Sequence, residues 1–213
     1  MSDDDSADIR RVVHQGYEQG DYAEVYRDRG ELTTMERRFL EPFAERIPCN
    51  GSVVDLGCGV GEPFDRWLVD EGFEVTGVDI ASNHVREARH RVPEAEFVEA
   101  DLSKWRPQTN FDGALCLYTL FHLPADEHRA VIERITSILT PEAPLLVTLG
   151  LSSGDSFADD WCGAPMAWSS LGPERYREIF AEVGFTIIEE GTEGAPGDEE
   201  HHWWVLAEGP SSM

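Results

Sequence analysis

The chain has 213 residues, a formal net charge of −25 and 41% hydrophobic residues. Its length suits a single domain over residues 1–213 that buries a real core, and its acidity excludes nucleic acid as a partner, because no basic stripe can hold phosphates. No apolar run reaches membrane-spanning length and residues 1–8 do not resemble a signal peptide, so we expect a cytoplasmic protein without a membrane partner.

The N-terminal part of the chain has a helical pattern. We expect residues 1–7 to be a disordered acidic tail, residues 8–47 to form a helical cap, and residues 48–208 to form the core. Tyr17, Tyr22 and Tyr26 recur at helical spacings of five and four residues. These side chains either pack the cap against the core or contact a ligand.

The next stretch has the pattern of a nucleotide-type binding turn. An apolar run that contains Asp55 is followed by Gly57, Gly59 and Gly61 on alternate positions, and then by an amphipathic segment. This pattern predicts a buried strand, a tight turn and a helix start. Glycine allows the sharp reversal and a close approach of a ligand to the backbone, and unpaired N–H groups at the helix start favour a polar ligand group.

The spacing of the turn argues against a dinucleotide. A G-x-G-x-x-G fingerprint would need its third glycine at position 62, which is Glu62 here. A carboxylate at the helix start would also repel a pyrophosphate. With Asp55 before it and Glu62 after it, the turn suits a ligand that presents hydrogen-bond donors and positive charge.

Strand and helix patterns then alternate, which predicts a doubly wound α/β sheet. The predicted strands lie near 52–56, 73–78, 95–99, 111–117, 144–150, 185–190 and 202–208, and the predicted helices near 62–71, 82–91, 125–138 and 173–183. Residues 151–171 are too long for a simple connection and predict an irregular, lid-like loop. Its Trp161 and Trp168 either form a hydrophobic wall of a substrate pocket or cover the edge of the core.

Five segments along the chain share the features of one known family: 55–61 (DLGCGVG), 75–80 (VTGVDI), 97–102 (FVEADL), 111–117 (FDGALCL) and 139–147 (LTPEAPLLV). Their order and spacing resemble those of class I S-adenosylmethionine-dependent methyltransferases. The resemblance extends over roughly residues 10–208. It implies a Rossmann-like, mostly parallel sheet of seven strands with an antiparallel last strand, and S-adenosylmethionine as the cofactor.

The resemblance also implies roles at the ends of the second and third strands. Asp79 would accept hydrogen bonds from both ribose hydroxyls, with Ile80 beside it; a carboxylate is suited to this because it accepts two donors at once. The Asp101 carboxylate would accept from the adenine amino group, and the Leu102 N–H would donate to the ring. Asp79 could instead cap the helix that starts at Ser82, and Asp101 could be a cap as well.

For the methionyl end of the cofactor, the resemblance implies contacts with the glycine turn. Gly57, Gly59 and Gly61 would let the backbone approach it, and the main chain near Leu117 would bind its ammonium group. Asp55 would either fix the turn or bind the ammonium through water. In this family, N-terminal helices lie over the cofactor, which makes Tyr17 a candidate substrate contact and Tyr22 a candidate cofactor contact.

Methyl transfer needs a base only when the acceptor must lose its proton early. His122 is the candidate, because it follows the end of the fourth strand and an ordinary imidazole titrates near neutrality. Its alternative role is to line the pocket.

His201 and His202 are adjacent in a predicted strand, so at most one of them faces the pocket. No carboxylate–histidine spacing predicts a metal site.

These observations predict methyl transfer from S-adenosylmethionine to a small molecule, with oxygen preferred to nitrogen as the acceptor. The alternatives are a non-catalytic S-adenosylmethionine-binding or regulatory module and, less favoured by the glycine spacing, an NAD-dependent oxidoreductase.

Lys104 is the only lysine. With the strong acidity this resembles proteins of salt-loving organisms and predicts a fold that loses stability in dilute buffer. The sequence does not indicate an oligomeric state.

Overall fold

The computed structural model describes residues 3–20, 30–193 and 202–211. The helices along these residues are α1 (Asp3–Gln19), α2 (Thr34–Ala44), α3 (Phe64–Asp70), α4 (Ser82–Arg91), α5 (His128–Ile138) and α6 (Pro173–Val183). The strands are β1 (Ser52–Leu56), β2 (Glu74–Asp79), β3 (Glu96–Glu99), β4 (Gly113–Cys116), β5 (Pro144–Gly150), β6 (Ser153–Trp161), β7 (Ala164–Leu171), β8 (Thr186–Glu193) and β9 (His202–Glu208). No helix within the described ranges is long and apolar enough to cross a membrane.

Seven of these strands form one sheet in the order β3-β2-β1-β4-β5-β9-β8. Strands β1 to β5 pair in parallel, whereas β9 runs antiparallel to both of its neighbours, β5 and β8. The prediction of a doubly wound, mostly parallel sheet of seven strands with an antiparallel last strand is therefore confirmed.

The position of β1 explains where a ligand site can form. From β1 the chain first adds β2 and β3 on one side and then crosses to β4 and β5 on the other. The chain leaves the end of β1 toward one side of the sheet and the end of β4 toward the other, which opens a crevice beyond the carboxyl ends of these two strands. The glycine turn lies at this crevice because it follows β1 directly.

Helices cover both faces of the sheet and bury its apolar side chains. On one face, Ile132 and Ile135 of α5 pack with Ile179 of α6, and on the other face Phe39 and Phe43 of α2 are fully buried. Burial of each such side chain stabilises the fold by roughly 1.5–3 kcal/mol. The sheet is thereby held rigid beneath the crevice.

Helix α1 begins at Asp3, within the stretch for which the sequence predicts a disordered tail. Ile9 and Val13 of α1 are buried against Met166 and Ala167 of β7. The N-terminal helix therefore lies over the 151–171 region.

The prediction of an irregular loop over residues 151–171 is wrong. Strands β6 and β7 form an antiparallel hairpin. Its turn contains Cys162 and Gly163, both with positive φ, at 53° and 84°, which is the backbone geometry of a tight hairpin turn. The apolar alternation that would indicate a strand is missing from β6, because its side chains are mostly exposed.

Candidate active site

The glycine turn is fixed between β2 and the residues that follow β4. The Gly57 and Cys58 N–H groups both donate to the Val78 carbonyl, at 2.7 and 3.2 Å. A Cβ atom at Gly57, where φ is 93°, would lie 2.0 Å from the Thr119 hydroxyl, whereas a Cβ at Gly59 would meet nothing within 4 Å. Gly57 is therefore required for packing, and Gly59 leaves open space in the crevice.

Asp79 connects the glycine turn to the start of α4. Its Oδ2 accepts from the Gly59 N–H at 2.9 Å, and its Oδ1 accepts from the Ala81 N–H at 2.8 Å. Ala81 is itself the N-cap residue of α4, so Asp79 fixes the turn before α4 and does not cap the helix. Each carboxylate oxygen can accept more than one hydrogen bond, so these contacts leave Asp79 able to accept hydroxyl donors as well.

Asp101 makes several polar contacts after β3. Its Oδ1 accepts from the Ser103 N–H and hydroxyl at 2.9 and 2.6 Å, and Oδ2 lies 3.0 Å from the Lys104 ammonium and 3.4 Å from Arg10 of α1. Burial alone would raise the pKa of Asp101, but the hydrogen bonds from Ser103 and Lys104 and the nearby Arg10 lower it. The carboxylate is therefore anionic, and its hydrogen bonds with Ser103 stabilise the turn that follows β3.

A cavity of about 80 Å³, the strand-end cavity, lies at the ends of β1, β2 and β4. It brings together most of the residues that the sequence singled out as cofactor contacts. The predicted residues on its walls are Tyr17, Gly57, Gly59, Asp79, Ile80, Asp101, Leu102, Leu117 and His122.

Three other predicted cofactor contacts are not among the residues on its walls. Asp55 is buried below the turn, and Gly61 faces the side chains of Phe97 and Val92. Tyr22 lies outside the described residues. Cofactor contacts by these three residues stay predictions.

A second cavity, of about 700 Å³, lies between the β6–β7 hairpin and the sheet. This hairpin cavity is lined by all four residues that were predicted to contact substrate, Tyr17, His122, Trp161 and Trp168. Tyr17, Tyr118 and His122 line both cavities. The two cavities therefore meet at these three side chains.

Tyr17 and His122 form a hydrogen-bonded pair at this junction. The Tyr17 hydroxyl lies 2.8 Å from His122 Nε2, and His122 Nδ1 lies 3.1 Å from the Ala167 carbonyl. A carbonyl can only accept, so Nδ1 carries the proton and Nε2 accepts from the Tyr17 hydroxyl. Burial lowers the pKa of His122 to about 4. The imidazole is thus neutral at physiological pH and holds the Tyr17 hydroxyl in place.

The sequence did not single out several residues that the structure places at the hairpin cavity. Tyr118 lies two residues after the end of β4, and its hydroxyl donates to Glu193 at 2.9 Å. Glu36 enters from α2, and Glu193 enters from the end of β8, where it pairs with β9. Their proximity depends on strand pairing that no local pattern reveals. His202 is the member of its pair that lines the cavity, whereas His201 lies outside the described residues.

A buried acidic pair lies directly below the glycine turn. Asp65 is 0% exposed and Asp55 is 2% exposed. Burial, and then the negative charge of Asp55, raise the pKa of Asp65 well above its ordinary value. Two carboxylates cannot hydrogen-bond to each other, so a proton on Asp65 lets it donate to Asp55.

We expect the substitution Asp65→Asn to stabilise the protein, and to do so more at pH 8 than at pH 5. The folded protein keeps a proton on Asp65 that the unfolded chain releases above about pH 4, so this group lowers stability as pH rises. Asparagine donates to Asp55 without titrating. The expected gain at pH 8 is about 1–3 kcal/mol, measured by urea unfolding. A gain that is equal at the two pH values would contradict a protonated Asp65.

Comparison with known families gives an independent finding. Residues 53–142 match a family model described as a methyltransferase domain. The chain is also 30% identical over 141 residues to trans-aconitate 2-methyltransferases of Escherichia coli O157:H7 and Shigella flexneri. That match covers 62% of this chain and 51% of the relatives, so the chain spans about half the length of the curated relatives it matches.

Solved structures resemble the fold over most of the chain. A magnesium protoporphyrin IX methyltransferase from Synechocystis, solved with bound S-adenosylmethionine, has a TM-score of 0.71 at 20% identity and covers 94% of this chain and 97% of its own. A methyltransferase from Methanosarcina mazei has a TM-score of 0.70 at 17% identity and covers 85% of this chain and 100% of its own. At these identities the similarity shows the fold alone.

Proposed function

We propose that this chain is a class I S-adenosylmethionine-dependent methyltransferase and that it transfers a methyl group from S-adenosylmethionine to a small-molecule acceptor. The observation that carries this proposal is the junction of two cavities at Tyr17, Tyr118 and His122. One cavity is lined by residues to which the resemblance assigns cofactor contacts, and the other has room for an acceptor. A pocket of about 700 Å³ is within the usual range for small-molecule sites.

The residues of the strand-end cavity fit the cofactor chemically. The open space at Gly59 admits a ligand close to the backbone, and the anionic oxygens of Asp79 and Asp101 suit hydroxyl and amino donors. The cavity of about 80 Å³ is smaller than the roughly 300 Å³ that such ligands need. Binding of the cofactor therefore requires the cavity to widen, and the side chain of Arg10 of α1 is on its wall.

S-adenosylmethionine supplies an electrophilic methyl group, so the protein's part is mainly to align the acceptor, which can contribute about 7–11 kcal/mol. Tyr17 can accept a proton from an acceptor hydroxyl while its own proton passes to His122 Nε2. The low pKa of His122 makes it a weak base, which suits proton removal late in the transfer, when the methylated oxygen has become acidic. This arrangement supports an oxygen acceptor before nitrogen.

The acceptor of the trans-aconitate relatives is not carried over to this chain. That compound is a polycarboxylate, and arginine and lysine are the side chains that bind carboxylates best. Of the described residues on the walls of the hairpin cavity, none is a lysine or an arginine. A hydroxyl is therefore our first choice of acceptor group.

Two measurements separate this proposal from its alternatives. Incubation of the protein with S-adenosylmethionine and pools of small alcohols, phenols and amines is expected to give S-adenosylhomocysteine that depends on both protein and acceptor, detected by mass spectrometry. Binding of the cofactor without turnover on any pool would favour a non-catalytic module. Binding of NAD in its place would favour an oxidoreductase.

The same assay on Tyr17→Phe tests the proton path. Loss of the hydroxyl is expected to lower kcat about 100-fold, which is typical for loss of acid–base assistance, without a change in affinity for S-adenosylhomocysteine. An unchanged kcat would assign Tyr17 and His122 to the pocket wall only.

The cytoplasmic location and the adaptation to high salt stay predictions.

A further inference from the structure

The charged side chains on the described walls of the hairpin cavity are carboxylates. Among the described residues that line it, the acidic side chains are Glu36 and Glu193, and neither lysine nor arginine is present.

Glu36 is held at the cavity wall by the start of α2. It is buried, and its Oε2 accepts from the Thr33 N–H at 2.6 Å while the Thr33 hydroxyl accepts from the Glu36 N–H at 3.2 Å. This capping box fixes the side chain and uses one carboxylate oxygen. Oε1 takes no hydrogen bond from the part of the chain that the structure describes.

Glu193 is a carboxylate fixed by three donors. The Tyr118 hydroxyl and the Trp204 indole N–H donate to its Oε2 at 2.9 and 3.1 Å, and His202 Nδ1 lies 3.5 Å away. Burial would raise the pKa of Glu193, but hydrogen bonds from His202, Trp204 and Tyr118 lower it. All three contacts reach Oε2, which leaves Oε1 as an acceptor for a further donor.

Aromatic rings form the remaining walls. Trp161 and Trp168 meet edge to face with ring centroids 5.9 Å apart, and Tyr118 and Phe121 both contact the His202 ring. The faces of tryptophan, tyrosine and phenylalanine attract cations and repel anions. Aromatic faces together with two fixed carboxylates form a site for an organic cation.

We propose that the acceptor of this chain is a small molecule with a protonated amino group, which Glu36, Glu193 and the tryptophans of the hairpin cavity bind while its hydroxyl lies at Tyr17. The inference rests on the proposed function and deepens it from a small molecule to an amino-bearing alcohol or phenol. It separates this chain from enzymes whose acceptors are carboxylates.

Three probes with one scaffold test the charge preference: tyramine is a cation, 4-ethylphenol is neutral, and 3-(4-hydroxyphenyl)propionate is an anion. Each is titrated calorimetrically at pH 8.0 into protein saturated with S-adenosylhomocysteine, in 1 M KCl. The salt shortens the Debye length to about 3 Å, so the overall charge of the chain does not decide the result. Tyramine is expected to bind at least tenfold more tightly than 4-ethylphenol, and the propionate not to bind.

Variants identify the carboxylates responsible. Glu36→Gln and Glu193→Gln are each expected to weaken tyramine binding about tenfold, as loss of a charged hydrogen-bond acceptor does, and to leave 4-ethylphenol unchanged. Glu71→Gln, an exposed position at the end of α3, is the matched control and should change neither. Unchanged affinity for 4-ethylphenol also shows that the cavity is intact in each variant.

Several outcomes would overturn the inference: equal binding of the three probes, preference for the propionate, no binding of tyramine, or full tyramine affinity in both cavity variants. The preceding saturation step separates this failure from failure of the proposed function. If S-adenosylhomocysteine itself does not bind, the methyltransferase proposal fails. If it binds and tyramine is not preferred, only the acceptor class is wrong.

Discussion

Substitution of Gly57 by alanine is expected to destabilise the protein by several kcal/mol and to abolish binding of S-adenosylhomocysteine. The new Cβ would lie 2.0, 2.4 and 2.7 Å from the Oγ1, Cγ2 and Cβ atoms of Thr119, closer than atoms can approach, and φ at this position is 93°. Core overpacking costs about 1–3 kcal/mol and a left-handed backbone conformation adds about 1–2 kcal/mol. Thermal and urea unfolding measure the loss.

Gly59→Ala is the matched control for this effect. Gly59 also has positive φ, at 55°, but a Cβ there meets nothing within 4 Å. Gly59→Ala should therefore lower the free energy of unfolding by only about 1–2 kcal/mol, which is what a left-handed backbone conformation costs. The double variant Gly57→Ala/Thr119→Ala removes two of the three clashing atoms and should recover part of the stability. Equal destabilisation by both glycine variants, without recovery in the double variant, would show that Thr119 does not set the requirement for glycine.

Asp79→Asn is expected to weaken binding of S-adenosylhomocysteine at least 100-fold while the protein stays folded. Asp79 accepts from the Gly59 and Ala81 N–H groups through different oxygens. Asparagine keeps one acceptor oxygen and places an NH₂ group against the other donor, so it loses both the charge and the orientation needed for two hydroxyls. Charged hydrogen bonds contribute about 1.5–3 kcal/mol each, and two of them account for the expected loss.

Asp112→Asn is the control at the opposite end of the sheet. Asp112 also binds backbone, because its Oδ2 accepts from the Ser52 N–H at 2.9 Å. It lies at the start of β1 and β4, away from the crevice. A similar loss of stability in the two variants, with binding lost only in Asp79→Asn, would support a ribose contact. Unchanged calorimetric affinity in Asp79→Asn would exclude that contact.

Much of the fold could be predicted because its signals are local. The apolar run around Asp55, the three glycines and the acid at Asp79 each follow from the chemistry of a strand end. Parallel strands bring their carboxyl ends to one edge, so local motifs far apart in the chain could be assigned to one site. The strand-end cavity contains Asp79, Asp101 and Gly59 for this reason.

The parts that could not be predicted depend on pairing across the fold. The β6–β7 hairpin has few apolar residues in β6, and its turn at Cys162 and Gly163 lacks the usual asparagine–glycine signal. Glu36 and Glu193 reach the same cavity only through the packing of α2 and the register of β8 on β9. Long-range register has no local sequence signature, so the wall of the acceptor cavity emerged only from the structure.

The central claim is that the crevice beyond β1 and β4 binds S-adenosylmethionine, and calorimetric titration of the wild-type protein with S-adenosylhomocysteine at high KCl tests it most directly. We expect saturable one-to-one binding with a Kd of roughly micromolar, a free energy of about −8 kcal/mol. Absence of binding by protein that circular dichroism shows to be folded would contradict the cofactor assignment, and with it the proposed methyl transfer.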